Sequence, residues 1–344
     1  MGEGECTPAT KPVNRPLIRV RDLACHFVAS PPPLIRLLQR RRRSLLKAVD
    51  GVSFDIARGT TFSVVGESGC GKSTIARLLV GLLPPTRGRI EFDGVDITGD
   101  RARRNARALR RRMQIIFQDA TASLDPRWRV SAIVGEPIRA FRLADGHERT
   151  ERVSTLLSAV GLDPNDGNRY PHQFSSGQRQ RVSIARALAG NPDFIVCDEP
   201  TSSLDVSVQA QILNLLKDLQ TRLGLTYLFI SHNMAVVSYV SDEIAVMYLG
   251  RFCEVAATQE LLRSPRHPYT RMLLETIPDI DAPGVRRPPI GGEAPSAIDT
   301  PSDCCAFHPR CPFADDRCRR ERPALRPAGP AQVACHAVEE NRIG

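Results

Sequence analysis

The chain has 344 residues, of which 42% are hydrophobic, and its formal net charge is +9. This length allows about two domains, and the hydrophobic content can fill a core without disulfide staples. The amino-terminal stretch MGEGECTPATKP has two acidic residues and no apolar run, which argues against a secretory signal. No segment approaches the roughly 18 apolar residues of a membrane span. We therefore expect a cytosolic chain whose cysteines are reduced.

The positive charge comes largely from arginine, concentrated in residues 40–43 and 101–112. Such charge can serve nucleic acid, an anionic membrane surface or solubility alone. These segments lack interleaved aromatic residues on which bases could stack. We interpret them as solvated surface and expect no specific nucleic acid partner.

Short apolar runs alternate with longer helical patterns along the chain. LIRVRDLACHF (17–27) and VDGVSFDI (49–56) show the period-two alternation of strands. TTFSVVG (60–66) is a continuous buried strand that leads through a glycine-rich turn into a helix. DFIVCD (193–198) and TYLFIS (226–231) are further strands, separated by a helical segment. Strands that alternate with helices predict an α/β fold with a parallel sheet covered on both faces.

Changes in pattern divide the chain into four parts. We expect a disordered segment at 1–16 and a main domain at 17–277. Within that domain, residues of about 128–185 are mostly helical and form an inserted subdomain. Residues 278–303 are a proline-rich linker without periodicity. Residues 304–344 form a small cysteine-rich C-terminal extension.

A phosphate-binding motif follows the buried strand. GESGCGKST fits the pattern G-x-x-x-x-G-K-S between a strand and a helix, where this motif must fall. The backbone amides of such a loop surround phosphate oxygens, Lys72 reaches the outer phosphates and Ser73 ligates Mg²⁺. The predicted ATP-binding residues of the loop are Gly66, Glu67, Ser68, Gly69, Cys70, Gly71, Lys72, Ser73 and Thr74.

Two carboxylates follow the strand FIVCD at its C-terminal end. Asp198 is suited to hold Mg²⁺, usually through water, and Glu199 to polarise a water for attack on the γ-phosphate. An acidic pair after a strand is a weak signal alone, but the upstream phosphate loop strengthens it.

Four further motifs resemble those of ATP-binding cassette (ABC) ATPases. FSSGQRQRVSIARAL (174–188) resembles the signature motif, and Gln118 in IIFQDATASLDP the Q-loop. SSLD (202–205) resembles the D-loop, and His232 in FISHN the switch histidine. The resemblance implies a P-loop ABC ATPase with a mainly parallel core sheet, an N-terminal antiparallel β subdomain and an inserted α-helical subdomain.

The resemblance also implies residue roles. Gln118 would contact Mg²⁺ and the attacking water, and His232 the γ-phosphate, so that both join Glu199 in catalysis. Phe27 would stack on adenine. The signature and the D-loop would act on ATP held by a second subunit in a head-to-tail dimer, and their predicted residues are Ser175, Ser176, Gly177, Gln178 and Asp205.

The signature departs from the usual L-S-G-G-Q at two positions. Phe174 stands at the leucine, and Ser176 at the first glycine. Glycine serves where backbone must approach a ligand closely or take a positive φ. We therefore expect the site completed by this signature to hydrolyse ATP more weakly than a glycine version.

Longer segments resemble the dipeptide and oligopeptide importer subfamily of ABC transporters. These segments are RYPHQFSSGQRQR, SPRHPYTRMLLETIP, GEAPSAID and CAFHPRCPFADDRC. The resemblance implies a second ATPase subunit, two transmembrane permeases and an extracytoplasmic substrate-binding protein. The chain would lie peripherally on the cytoplasmic face of the inner or plasma membrane. Alternatives are import of nickel or glutathione, a soluble ABC ATPase acting on ribosomes or DNA, and an iron–sulfur redox protein.

The C-terminal cysteines have the spacing Cys305-x5-Cys311-x6-Cys318-x16-Cys335. This spacing lacks the C-x2-C knuckle common in zinc sites, and it does not by itself choose a metal. The subfamily resemblance implies a [4Fe–4S] cluster at these four positions. Zn²⁺ and free thiols remain the alternatives.

Overall fold

The computed structural model describes residues 15–29, 44–98, 106–275 and 303–343. The predicted disordered N-terminus and the predicted linker therefore lie almost wholly outside the described residues, as do Arg40 to Arg43. The division of the chain into 17–277 and 304–344 stays a prediction.

The strands of the described residues form two sheets. Their bounds are β1 Pro16–Ala29, β2 Ser44–Ala57, β3 Thr61–Val65, β4 Arg87–Phe92, β5 Val95–Asp96, β6 Met113–Ile116, β7 Phe194–Asp198, β8 Thr226–Ser231, β9 Glu243–Tyr248, β10 Arg251–Ala257, β11 Arg326–Ala328 and β12 Ala331–Val333.

The helices of the same residues lie mostly between strands of the larger sheet. Their bounds are α1 Lys72–Leu79, α2 Ala106–Arg112, α3 Ala120–Ser123, α4 Val130–Ala140, α5 Gly146–Ala159, α6 Ser176–Leu188, α7 Val206–Leu223, α8 Met234–Val240, α9 Thr258–Arg263, α10 Pro268–Glu275, α11 Asp316–Arg320 and α12 His336–Glu339. None of them is long and apolar enough to cross a lipid bilayer.

The larger sheet has eight strands in the order β11-β12-β10-β9-β3-β8-β7-β6. Its five strands from β9 to β6 run parallel, whereas β10, β11 and β12 are antiparallel to their neighbours. All residues of β3, β7 and β8 are buried. Continuous burial is what a parallel sheet between helices requires, and it explains the unbroken apolar runs of the sequence.

The smaller sheet has the order β2-β1-β4-β5 and is antiparallel throughout. Its apolar face packs against β3 and α1 in one core cluster that includes Val20, Phe54, Phe62 and Ile75. Phe54 and Phe62 stack with ring centroids 4.9 Å apart. The predicted N-terminal β subdomain and mainly parallel core sheet are therefore confirmed.

The helical insertion consists of α4, α5 and α6 with two short 3₁₀ turns at 164–168 and 171–173. Its apolar side chains, including Ile138 and Leu157, join a core cluster that continues under α7. The helical character of the segment at about 128–185 is as predicted. This packing ties the start of α6 to the main sheet.

The C-terminal extension lies on the edge of the core sheet. Strand β12 pairs with β10, in the register Glu254 to Val333. Phe307 packs edge-on against Tyr248, with centroids 5.3 Å apart, and joins a core cluster with Tyr269. The extension thus shares the core of the main domain. The sequence did not predict this packing, because a proline-rich segment separates the extension from the main domain.

Candidate functional site

The loop between β3 and α1 closes tightly on the main chain around it. Gly71 has φ of 112° and precedes the first residue of α1. A Cβ on this residue would stand 1.9 Å from the carbonyl oxygen of Ala48. Glycine is therefore required here both by φ and by the close approach of β2.

Lys72 is buried and folds back over the loop. Its Nζ donates to the carbonyl oxygens of Gly66, at 2.8 Å, and Glu67, at 2.9 Å. An ammonium group held above a turn of backbone amides at a helix N-terminus is suited to bind the outer phosphates of a nucleotide. Cys70 is buried within the loop, and burial raises the pKa of its thiol, so it fills space rather than reacting.

Two of the three predicted magnesium ligands, Ser73 and Asp198, face each other. The Ser73 hydroxyl donates to Asp198 Oδ1 at 3.0 Å. Burial raises the pKa of Asp198, and the hydrogen bond from Ser73 opposes that rise. A hydroxyl and a carboxylate next to a phosphate loop fit the oxygen donors that Mg²⁺ takes beside phosphates, so these residues suit MgATP.

Glu199 is the point where two other predicted residues meet. Gln118 Nε2 donates to Glu199 Oε2 at 3.2 Å, and His232 Nδ1 lies 3.1 Å from the same oxygen. Glu199 adopts a positive φ of 47°, and its amide donates to the carbonyl of Ile230. Three residues from three loops thus converge at the carboxyl ends of parallel strands, next to Asp198.

The signature residues form the start of α6. Ser175 is its N-cap and forms a capping box with Gln178. A Cβ on Gly177 would lie 2.5 Å from Val208 Cγ1 of α7. Ser176 is exposed and does not have a positive φ. The expected backbone strain from serine at this position is therefore absent, and only hindrance by its Cβ remains as a reason for weak hydrolysis.

The remaining predicted ATP-site residues lie exposed on two other elements. Asp205 caps α7 by accepting a hydrogen bond from the Val208 amide at 2.9 Å. Phe27 is on β1, in register with Leu46 of β2, and is 38% exposed. Asp205 bonds to the first turn of α7 and Phe27 pairs with the neighbouring strand, so neither contact tests the predicted role toward nucleotide, and both roles stay predictions.

The four C-terminal cysteines lie near one another. The backbone amide of Cys305 donates to the carbonyl of Cys318 at 2.9 Å. The pKa of Cys305 is raised to about 12, mainly by burial and to a smaller extent by the neighbouring thiols of Cys318, Cys335 and Cys311. No group of three or more His, Cys, Asp or Glu side chains among the described residues is arranged to hold a metal ion.

Sequence reasoning missed two residues that contact the phosphate loop. Tyr269 Oη accepts a hydrogen bond from the Glu67 amide at 3.0 Å. The Arg310 guanidinium makes a two-point ion pair with the Glu67 carboxylate. Tyr269 lies in SPRHPYTRMLLETIP and Arg310 in CAFHPRCPFADDRC, two of the segments that resemble the importer subfamily. The resemblance marked these segments, but only the folded structure shows that both residues contact Glu67.

A phosphate loop, an acidic pair and a capped signature helix on this sheet define an ATP-binding cassette. The family model described as ABC transporter matches residues 49–202, and that described as oligopeptide/dipeptide transporter, C-terminal region, matches 253–318. The chain belongs to the ATP-binding subunits of the dipeptide and oligopeptide importer subfamily of ABC transporters. It is therefore an ATPase whose hydrolysis is coupled to transport.

The similarity to named relatives extends over nearly the whole chain. It is 45% identical to the oligopeptide transport ATP-binding protein AppF of Bacillus subtilis, over 93% of this chain and 97% of the relative. It is 50% identical to a Brucella ovis protein whose name describes peptide import, with the same coverage.

Solved cassettes share the fold. The cbiO1 protein of Clostridium perfringens, titled as part of the ABC transporter complex cbiONQ, is 28% identical with a TM-score of 0.61, over 72% of this chain and 91% of that one. The cassette MJ0796, whose title describes a dimer bound to ADP and Pi, is 27% identical with a TM-score of 0.60, over 70% of this chain and 98% of that one.

Proposed function

We propose that this protein powers the import of dipeptides or oligopeptides by hydrolysing ATP on the cytoplasmic face of a membrane. The observation that carries the ATPase is the convergence of Gln118 and His232 on one oxygen of Glu199, beside the Ser73–Asp198 hydrogen bond. The peptide cargo is supported by the names of relatives that match over most of the chain.

In this mechanism the loop binds the phosphates and the carboxylates handle metal and water. Lys72 holds the outer phosphates, and Ser73, Asp198 and Gln118 would hold Mg²⁺, which would supply charge neutralisation at the phosphates. Glu199 accepts the proton of the attacking water. His232 is 51% exposed beside the Glu199 carboxylate, which is 11% exposed, and is placed to move between that carboxylate and the γ-phosphate.

The site is completed by a second ATPase subunit. Ser175, Ser176, Gly177, Gln178 and Asp205 then face the nucleotide of the partner. Ser175, Ser176 and Asp205 are exposed, whereas Gln178 is half-buried and Gly177 is buried. All five lie at the start of α6 or α7, and helix N-termini favour bound anions, which supports this role. The dimeric solved cassette with ADP and Pi supports the same arrangement.

Two permeases and an extracytoplasmic substrate-binding protein complete the transporter. The helical subdomain offers a cavity of about 620 Å³ between α4 and α5, lined by residues that include Trp128, Arg139 and Arg149. A half-exposed tryptophan beside arginines is suited to hold a short permease helix. This contact would keep the chain at the membrane without a spanning helix.

The four cysteines of the extension would hold a [4Fe–4S] cluster. Four reduced thiols within mutual electrostatic reach, in a partly buried setting, support this donor set. Zn²⁺ held by the same four thiolates is the alternative occupant of this donor set. Anaerobic purification and assay of iron, sulfide and visible absorbance test the cluster; a colourless, iron-free protein contradicts it.

Growth of a deletion strain on defined peptides as sole amino-acid source tests the cargo. Loss of growth on peptides, restored by the wild-type chain and not by Lys72→Ala, is the expected result. Normal growth on peptides with a defect in nickel-dependent or glutathione-dependent growth would transfer the function to those cargoes. Recovery of the tagged chain with ribosomes or DNA, and without permeases, would contradict a transporter.

A further inference from the structure

The C-terminal extension reaches the phosphate loop through one ion pair. Arg310 Nη1 and Nη2 each donate to one oxygen of the Glu67 carboxylate, both at 2.9 Å. The Arg310 side chain is 5% exposed and that of Glu67 is 23% exposed. A two-point pair shielded from water in this way fixes orientation as well as charge.

Glu67 is fixed at its main chain as well. Its amide donates to Tyr269 Oη, at 3.0 Å, and its carbonyl accepts from Lys72 Nζ, at 2.9 Å. The residue therefore links the extension, helix α10 and the lysine that binds phosphate. A displacement of the Glu67 side chain is therefore passed directly to Lys72, because the carbonyl of the same residue holds the lysine.

Arg310 is in turn fixed by the fold of the extension. It ends the short turn His308–Arg310, whose flanking residues are Phe307 and Cys311. The His308 amide donates to the Cys305 carbonyl at 3.1 Å, and the Arg310 amide to the Phe307 carbonyl at 3.0 Å. The position of the guanidinium thus depends on the same short segment that carries two of the four clustered cysteines.

Charge explains why the loop needs this partner. A loop that binds the phosphates of ATP carries, in Glu67, a carboxylate that would repel them if it were unpaired. Freed from Arg310, that carboxylate would also compete with phosphate for the Lys72 ammonium. Pairing with a buried arginine removes both effects.

We propose that Arg310 is a positioning residue for ATP binding, supplied by the C-terminal extension, and that it works by neutralising and orienting Glu67. The inference rests on the proposed function only in that ATP binds at residues 66–74. It makes the fold of the cysteine-rich extension a condition for high ATP affinity.

The test is the dissociation constant for ATP of the purified full-length chain, measured by equilibrium titration at low and high salt. Arg310→Ala should weaken ATP binding by about 10-fold or more, and less at high salt because screening reduces the repulsion. Adding Glu67→Gln to Arg310→Ala should restore most of the lost affinity, since the unpaired carboxylate is gone. A merely structural role of Arg310 does not predict this rescue.

The matched control is Arg319→Ala, an arginine of the same extension whose partner Asp316 also lies in the extension; it should bind ATP as the wild type does. If Arg310→Ala does not fold, Arg310→Lys replaces it, and it should retain more affinity than Arg310→Gln. Unchanged binding in the Arg310 variants, or failure of Glu67→Gln to rescue, overturns the inference. Lys72→Ala tests the proposed function separately. If Lys72→Ala loses ATP binding while Arg310→Ala binds ATP as the wild type does, the inference about Arg310 fails and the ATP site at residues 66–74 still stands.

Discussion

At the scale of single residues, the site depends on one carboxylate with two neighbours. Glu199 Oε2 lies within hydrogen-bond distance of both Gln118 and His232. The sequence named all three residues, but as members of separate motifs. Because Gln118 and His232 both contact one oxygen of Glu199, the three residues can act together on the attacking water and the γ-phosphate.

Glu199→Gln should preserve ATP binding and lower hydrolysis by about 100-fold or more, because the amide cannot accept a proton from water. The measurement is the release of phosphate, with ATP binding titrated in parallel. Wild-type turnover in this variant would exclude Glu199 as the catalytic base.

Ser176→Gly should raise ATP turnover in the assembled transporter, since it removes the Cβ that would approach the partner's nucleotide in the proposed dimer. The exposed, unstrained backbone of Ser176 limits the expected gain to a few-fold. Steady-state ATPase assays of the complete complex measure it. Equal rates for serine and glycine would show that this departure from the usual signature has no effect.

At the scale of elements, the spacing between α6 and α7 is set by Gly177. The Cβ that an alanine would add meets Val208 at 2.5 Å, whereas on Gly135 in α4 the nearest atom stands at 3.4 Å. Both glycines lie in helices and neither has a positive φ. They therefore differ chiefly in the room available, which makes them a matched pair.

Gly177→Ala should lower the free energy of unfolding by about 1–3 kcal/mol through overpacking. Gly135→Ala should be neutral or raise it by up to ~1 kcal/mol, because alanine is the better helix former. Urea unfolding of the two variants provides the comparison. Equal effects would mean that α7 moves away at no cost.

Gly71→Ala should abolish ATP binding, because both its φ of 112° and the 1.9 Å approach to the Ala48 carbonyl exclude a Cβ. Gly94→Ala is the control, since Gly94 also has a positive φ but nothing within 4 Å of an added Cβ. Nucleotide titration measures both. ATP binding by the Gly71 variant at wild-type affinity would mean that the loop can open without loss of its phosphate contacts.

At the scale of the whole molecule, the exposed signature and D-loop predict that one chain is incomplete. With MgATP, the Glu199→Gln variant should form a stable dimer, since trapped nucleotide joins the two subunits. Light scattering after gel filtration should show the mass double with ATP and remain single with ADP. A monomer at every nucleotide concentration would contradict a site shared between subunits, unless a different ATPase chain of the transporter is the partner, which co-purification reveals.

The sequence by itself determined the central strands and the phosphate-loop motif of this protein. Continuous apolar runs predicted β3, β7 and β8, and motif spacing predicted the phosphate loop with Lys72 and Ser73, because these signals are local. Tertiary structure alone decided that β12 joins β10 and that Arg310 reaches Glu67, a contact between residues 243 positions apart in the chain. Local periodicity and spacing carry no information on such pairs, since long-range contacts arise only when the sheet and its edge are assembled.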